Sequence, residues 1–193
     1  TFSHSRFFNP NTFTYFSAFK DITTLVQTTG NGTYTLSNLD ISPFEALHYS
    51  RKTNFAGWAI LIVYENPSLT LNQLNIYDGL QGVPDALQIN LTNLYVLNNA
   101  NAKAGFIAWE GDSQLATENF TVNSTVISNP FNPPNNVFNS TNSVTGSNQL
   151  YNMDLDIYEI DSYISIGDTN ASIALTSFQD FIMINTVVTK LNS

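Results

Sequence analysis

The chain holds fifteen aspartates and glutamates against six lysines and arginines and two histidines. Any chemistry it does must therefore be sought first among carboxylates. Glu110 and Asp112 stand two apart in the stretch Trp-Glu-Gly-Asp. Paired carboxyls are what glycoside hydrolysis requires, one as acid and one as base or nucleophile. The spacing arises easily by accident at a strand end, and no second hydrolase feature accompanies it. Asp154, Asp156, Glu159 and Asp161 form a denser group. Such oxygens hold Ca²⁺ when a glycine-bearing loop wraps them around the ion, and that loop is missing here. Asp154 and Asp156 instead alternate with Met153, Leu155 and Ile157. This predicts a strand that turns its carboxylates to water. No metal is expected.

His4 and His48 belong to no His-x-x-x-His pair, and the chain has no Gly-x-Ser-x-Gly elbow and no phosphate-binding glycine loop. Cysteine is absent, which excludes disulfides, thiolate metal sites and cysteine nucleophiles. The expectation is a protein that is not an enzyme and carries no cofactor.

Six asparagines stand in Asn-x-Ser/Thr triplets: Asn31, Asn90, Asn119, Asn123, Asn139 and Asn170. In a secreted chain each can accept an N-linked glycan. With 26 asparagines and about a fifth of the chain Ser or Thr, roughly five such triplets arise by chance, so their number argues little. Position argues more, because Asn31, Asn139 and Asn170 fall in expected turns or loops. Glycans are the one covalent addition expected.

Only 11% of residues are charged, against about 25% in ordinary domains. Asn, Thr and Ser number 26, 21 and 18. A surface wetted by neutral amides and hydroxyls suits an extracellular protein better than a cytosolic enzyme. Arg6, Lys20, Arg51, Lys52, Lys103 and Lys190 are scattered. Without a basic stripe, nucleic acid and anionic membrane surfaces are poor partners. The longest apolar run, residues 55–64, suits a buried strand and not a bilayer. No signal segment is visible, and the sequence reads as a mature, processed chain.

Residues 1–11 read as an N-terminal arm, closed by the strand-breaking Pro10. Residues 12–193 are long enough to bury one core without staples. Strands are expected at 13–19, 33–39, 54–64, 69–77, 86–97, 105–110, 120–127, 151–160, 172–175 and 181–188. One short helix is expected at 21–27, with Asp21 as its cap. Residues 54–64 are the strongest strand and should be covered on both faces. A phase slip at Asn72–Gln73 suggests a bulge, and Asp78-Gly79 a turn. Residues 128–149, rich in Asn, Ser, Pro and Thr, read as a long surface loop. Together these describe an all-β sandwich, immunoglobulin-like or jelly-roll, with at most one short helix.

An incomplete sandwich leaves unpaired strand edges. A strand from the next subunit can fill the gap by β-addition, and head-to-tail donation gives a polymer. The arm is the candidate donor, with Phe2, His4, Arg6 and Phe8 on one face and Phe7 on the other.

Residues 54–83 (NFAGWAILIVYENPSLTLNQLNIYDGLQGV) resemble a module of bacterial and archaeal cell-surface proteins that are adhesin-like. Residues 19–33 (FKDITTLVQTTGNGT), 105–112 (GFIAWEGD) and 129–141 (NPFNPPNNVFNST) resemble three further stretches of it. The likeness runs from about residue 13 to 190, so the arm lies outside it. Thr70-Leu71-Asn72 stands where the module has Pro-Leu-Arg, so an arginine is lost. The resemblance implies an extracellular adhesin-like β-sandwich and supplies no catalytic residues. In architecture and composition the chain also resembles the archaeal thread pilins. In those, an N-terminal strand of one glycosylated subunit completes the sandwich of the next. This second resemblance implies a pilin-like domain at 12–193 and a cell-surface filament of identical subunits, serving adhesion or biofilm formation. The alternative is a monomeric adhesin or carbohydrate-binding sandwich, meeting its ligand through the 128–149 loop or exposed aromatics. An extracellular hydrolase is the third reading.

Overall fold

Period-two burial runs through residues 86–92, 118–122, 153–159 and 170–177, and strands are its consequence. The computed structural model describes residues 4–8, 13–51, 55–83, 86–178 and 180–192. The chain divides into two compact units, Thr1–Val63 and Tyr64–Ser193. The expected boundary after residue 11 lies among residues outside the described ones.

In the first unit, β1 (His4–Phe8) pairs antiparallel with β2 (Tyr15–Phe19). Helix α1 (Thr23–Thr29) begins where Asp21 Oδ1 accepts the Thr23 N–H at 2.8 Å. Asp21 thus does a cap's work, though the N-cap position itself is Ile22. Gly30, at φ +67°, ends the helix and donates its N–H to the Val26 carbonyl. Helix α2 (Ser42–Arg51) follows, with Asp40 accepting both the N–H and the hydroxyl of Ser42. Among the described residues there are two short α-helices rather than the single one expected. Phe13, Tyr15, His48 and Phe55 form an aromatic group, with Tyr15 and Phe55 stacked at 5.6 Å. His48 is buried there, its Nε2 3.1 Å from the Thr14 carbonyl.

The second unit is an all-β sandwich. Its strands are β3 (Asn72–Val83), β4 (Ala86–Thr92), β5 (Asn98–Trp109), β6 (Glu118–Val122), β7 (Thr125–Ile127), β8 (Met153–Glu159), β9 (Asn170–Ser177) and β10 (Ile182–Asn192). Sheet one runs β3-β10-β5-β8 and sheet two β4-β9-β6-β7, all pairs antiparallel. Phe106 of sheet one meets Phe120 of sheet two edge to face at 5.6 Å, with Tyr158 and Phe138 around them. Each such ring contributes about 1.5–3 kcal/mol by leaving water. The β6–β7 hairpin turns on Asn123 and Ser124, both at positive φ, as the twist of a two-residue turn requires.

Several expectations are corrected. Residues 33–39 form no strand, and neither do residues 55–64, the described part of the expected strand 54–64. Residues 56–65 make no hydrogen bond to another described residue, and Leu61, Ile62 and Val63 are exposed. Apolar content gave the propensity, but within one copy no neighbouring strand pairs with that run. Asp78-Gly79 is not a turn; both lie inside β3, where Asp78 pairs with Thr186 and Gly79 falls at a register shift. No register shift falls at Asn72–Gln73; β3 shifts instead opposite Ile184 and Thr186, between Asp78 and Gln81, and β10 shifts against β5 there and again between Lys190 and Asn192. Loop 128–149 is not a bare surface loop, since Val137 and Phe138 sit wholly inside the core.

The two outward faces of the sandwich differ. Sheet two presents Gln88, Asn90 and Thr92 from β4, Ser172, Ala174 and Thr176 from β9, and Asn119 and Thr121 from β6. Sheet one presents Leu74 and Ile76 from β3, Val188 and Lys190 from β10, Lys103 and Ile107 from β5, and Leu155, Ile157 and Glu159 from β8, while Met183 and Thr186 on the same side are buried. Leu74 and Ile76 are nearly half exposed.

Candidate functional site

The alternation along β8 is real, but its sense is the reverse of the expectation. Ala104, Phe106 and Ala108 of β5 point inward, and the register sets Tyr158, Asp156 and Asp154 beside them. Asp154 and Asp156 are therefore fully buried, while Met153, Leu155 and Ile157 face outward. Alternation fixes which residues share a face; it does not say which face is wet. The signal that could have told the faces apart was the neighbouring loop, whose backbone amides need acceptors.

Those acceptors are the carboxylates. Glu118 Oε2 accepts the N–H of Phe138 at 3.0 Å. Asp154 Oδ1 accepts the N–H groups of Asn139 and Thr141, at 2.9 and 3.1 Å. Asp156 Oδ1 accepts the N–H of Ser143 at 3.0 Å. The Thr141 hydroxyl bonds Asn132 Oδ1 at 2.6 Å. Three buried acids thus clamp residues 138–143 over the end of the core. The loop also adds to the edge of β8, where Leu155 N–H donates to the Thr141 carbonyl and Ile157 N–H to Ser143 Oγ.

Glu110 and Asp112, the pair with hydrolase spacing, do not pair with each other. Glu110 takes a left-handed backbone at φ +78°, which is uncommon away from glycine, and Asp180 is the carboxyl that acts on it most strongly. Asp112 Oδ1 accepts the N–H groups of Gln114 and Leu115. Gly111 between them is required by packing: a Cβ there would meet Asp154 Oδ2 and the Phe138 carbonyl. Gly105 is likewise pressed against the Asp156 carbonyl of β8. The GFIAWEGD stretch is therefore the wall of this acid-lined end.

Burial dominates the electrostatics. It raises Glu110 to about 9, with Asp180 adding to the effect, and Glu118 to about 8 against its bond from Phe138. Asp154 is pushed well above the usual carboxylate range by burial and then by Asp156, outweighing its backbone bonds. Asp156 and Asp180 are raised mainly by burial, and Tyr158 is raised further beyond its ordinary value. Glu159 and Asp161 lie outside this cluster; Glu159 pairs with Lys103 at 2.7 Å on the outward face. Among the described residues no group of three or more side chains is arranged to hold a metal ion.

The candidate donor residues divide. Phe2 lies outside the described residues, and His4, Arg6, Phe7 and Phe8 belong to β1, opposite Phe19, Ser17, Phe16 and Tyr15. The six sequon asparagines sort by what their amides already do. Asn31 and Asn90 are exposed and their side-chain amides engage no described residue, and Asn170 reaches only the adjacent Thr169 hydroxyl among the described residues. Asn119 donates to the Pro134 carbonyl at 2.6 Å. Asn123 donates to the Tyr163 carbonyl and accepts from the Ser172 N–H. Asn139 donates to the carbonyls of Phe131 and Asn136.

No family model, curated protein or solved structure matches this chain. Among the described residues, no helix is long and apolar enough to cross a membrane.

Proposed function

We propose that this protein is a structural subunit of an extracellular, cell-surface filament, a glycosylated pilin-like chain that polymerises head to tail. Strand donation between identical copies, with residues 1–11 as donor, joins one subunit to the next, and the filament serves adhesion or biofilm formation. One observation carries the reading: a single copy contains more strand-forming sequence than it can pair. Residues 56–65 have unbonded backbone and outward apolar side chains, a liability that proteins relieve by covering or pairing such segments. β3 and β4 each have a strand on one side only, so acceptor edges exist as well. The low charge and the polar outward face of sheet two suit a surface polymer.

Electron microscopy of protein from its native host tests this directly. Thin, beaded filaments that vanish on deletion of residues 1–11 are expected. Dispersed single particles, with the deletion changing nothing, would favour the second reading, a monomeric adhesin or carbohydrate-binding module. The exposed Phe131, Tyr151 and Phe178 favour that reading.

A further inference from the structure

Residues 64–193 carry twelve aspartates and glutamates and two lysines. Lys103 is engaged by Glu159, and Lys190 donates to the Asn101 carbonyl at 3.3 Å. Their register, Lys190 opposite Lys103 opposite Glu159, places both on the outward face of sheet one. Asp154 and Asp156 point the other way. The titratable groups gathered at the clamped end are Glu110 and Asp112 after β5, Glu118 on β6, Asp154, Asp156 and Tyr158 on β8, and Asp180 before β10. Every one is an acid, and among the described residues of this unit no cation faces them. Asp154 is fully buried, yet its Oδ2 has no partner, and the same holds for Asp156 Oδ2 and Glu118 Oε1.

An ionised carboxylate without water or counter-ion costs several kcal/mol even after the protein relaxes. The group escapes that cost by taking up a proton. We infer that protons are the ligands of this cluster and that residues 138–143 form an acid-closed flap, held down at low pH and freed as the medium turns alkaline. Val137 and Phe138 anchor the flap in the core. The rest of it hangs on Asp154 and Asp156, so it is the piece that moves when water enters to solvate two or more new charges.

The sign follows from linkage. Unfolded glutamates titrate near pH ~4.3, whereas Glu110 and Glu118 titrate in the fold at about 9 and about 8. The folded state therefore holds more protons than the unfolded one between those limits. Its stability is fully present below the unfolded value and is lost as pH rises through the folded ones.

Hydrogen exchange on the full chain, expressed as protection relative to the intrinsic rate at each pH, tests this. The amides of Phe138, Asn139, Thr141 and Ser143 should lose roughly tenfold or more of their protection between about pH 5 and about pH 9, one decade per 1.36 kcal/mol. Amides in the middle of β9 and β10 should lose less. Protection that stays flat or rises overturns the inference. Infrared spectra of the unmodified protein provide a second readout that needs no variant. A carbonyl stretch from protonated carboxyls should persist at pH 7, and its absence overturns the proton assignment. D154N should flatten the exchange profile where it folds. Addition of Ca²⁺ alone to chelator-treated protein at pH 8 should leave the melting temperature unchanged; a rise of several degrees would mean a cation, not protons, is the ligand.

Discussion

Glu118 on β6 accepts the backbone N–H of Phe138 at 3.0 Å, twenty residues further along the chain and wholly inside the protein. The bond ties a strand of sheet two to a loop that has no regular structure of its own. It also makes Glu118 a hydrogen-bond acceptor first and an acid second.

Removing that acceptor should be costly, and removing only its charge should not. E118A leaves a buried N–H unsatisfied, which costs about 1–3 kcal/mol. E118Q keeps an oxygen in place and should be near neutral at pH 7. Chemical denaturation of both variants measures the difference. Equal losses would show that Phe138 does not depend on this bond.

Glycine substitutions should separate packing from backbone freedom. G111A drives a methyl into Asp154 Oδ2 and the Phe138 carbonyl and should cost about 1–3 kcal/mol as an overpacked site. G79A, in β3, meets nothing within 4 Å and should be tolerated. Thermal melts that rank the two the other way round would contradict the placement of loop 128–149.

Sequon occupancy should follow amide availability. In glycopeptide mapping of protein from its native host, Asn31, Asn90 and Asn170 should carry glycan. Asn123 and Asn139, whose amides are engaged by the protein, should be substantially less occupied. Full occupancy of Asn139 would require the Phe131 and Asn136 bonds to be absent when the glycan is attached.

Acid should not unfold this protein. The usual route needs paired carboxylates to protonate and many positive charges then to repel. Here the carboxyls with raised affinity hold protons already in the fold, and the chain reaches at most eight positive side chains, from six Lys or Arg and two His. Circular dichroism should show no cooperative transition on lowering the pH through 4. A sharp loss of β signal there would contradict the raised values of Glu110 and Glu118.

The fold class was readable because alternation is a local signal: β8, β9 and β10 fall where period-two patterning puts them. The acid cluster was not readable. Asp154 and Asp156 are assigned to water by any rule that treats carboxylates as solvated. Only the loop that returns 15 residues upstream to cover them, at Asn139, reverses that. Helix α2 was missed because its segment, residues 42–51, lacks a sustained apolar stripe and is started by a local device, Asp40 on Ser42. Residues 54–64 were over-read, because hydrophobicity reports what a segment would bury and not whether a neighbour is there to bury it.

The contrast between the two outward faces has a consequence for wetting. Water spreads over amides and hydroxyls such as those of Asn90, Thr92, Ser172 and Thr176, whereas on sheet one the exposed Leu74, Ile76 and Ile157 repel it beside the wetted pair Lys103–Glu159. At a boundary between water and a less polar phase, the face of β4, β9 and β6 should be the one that stays in the water.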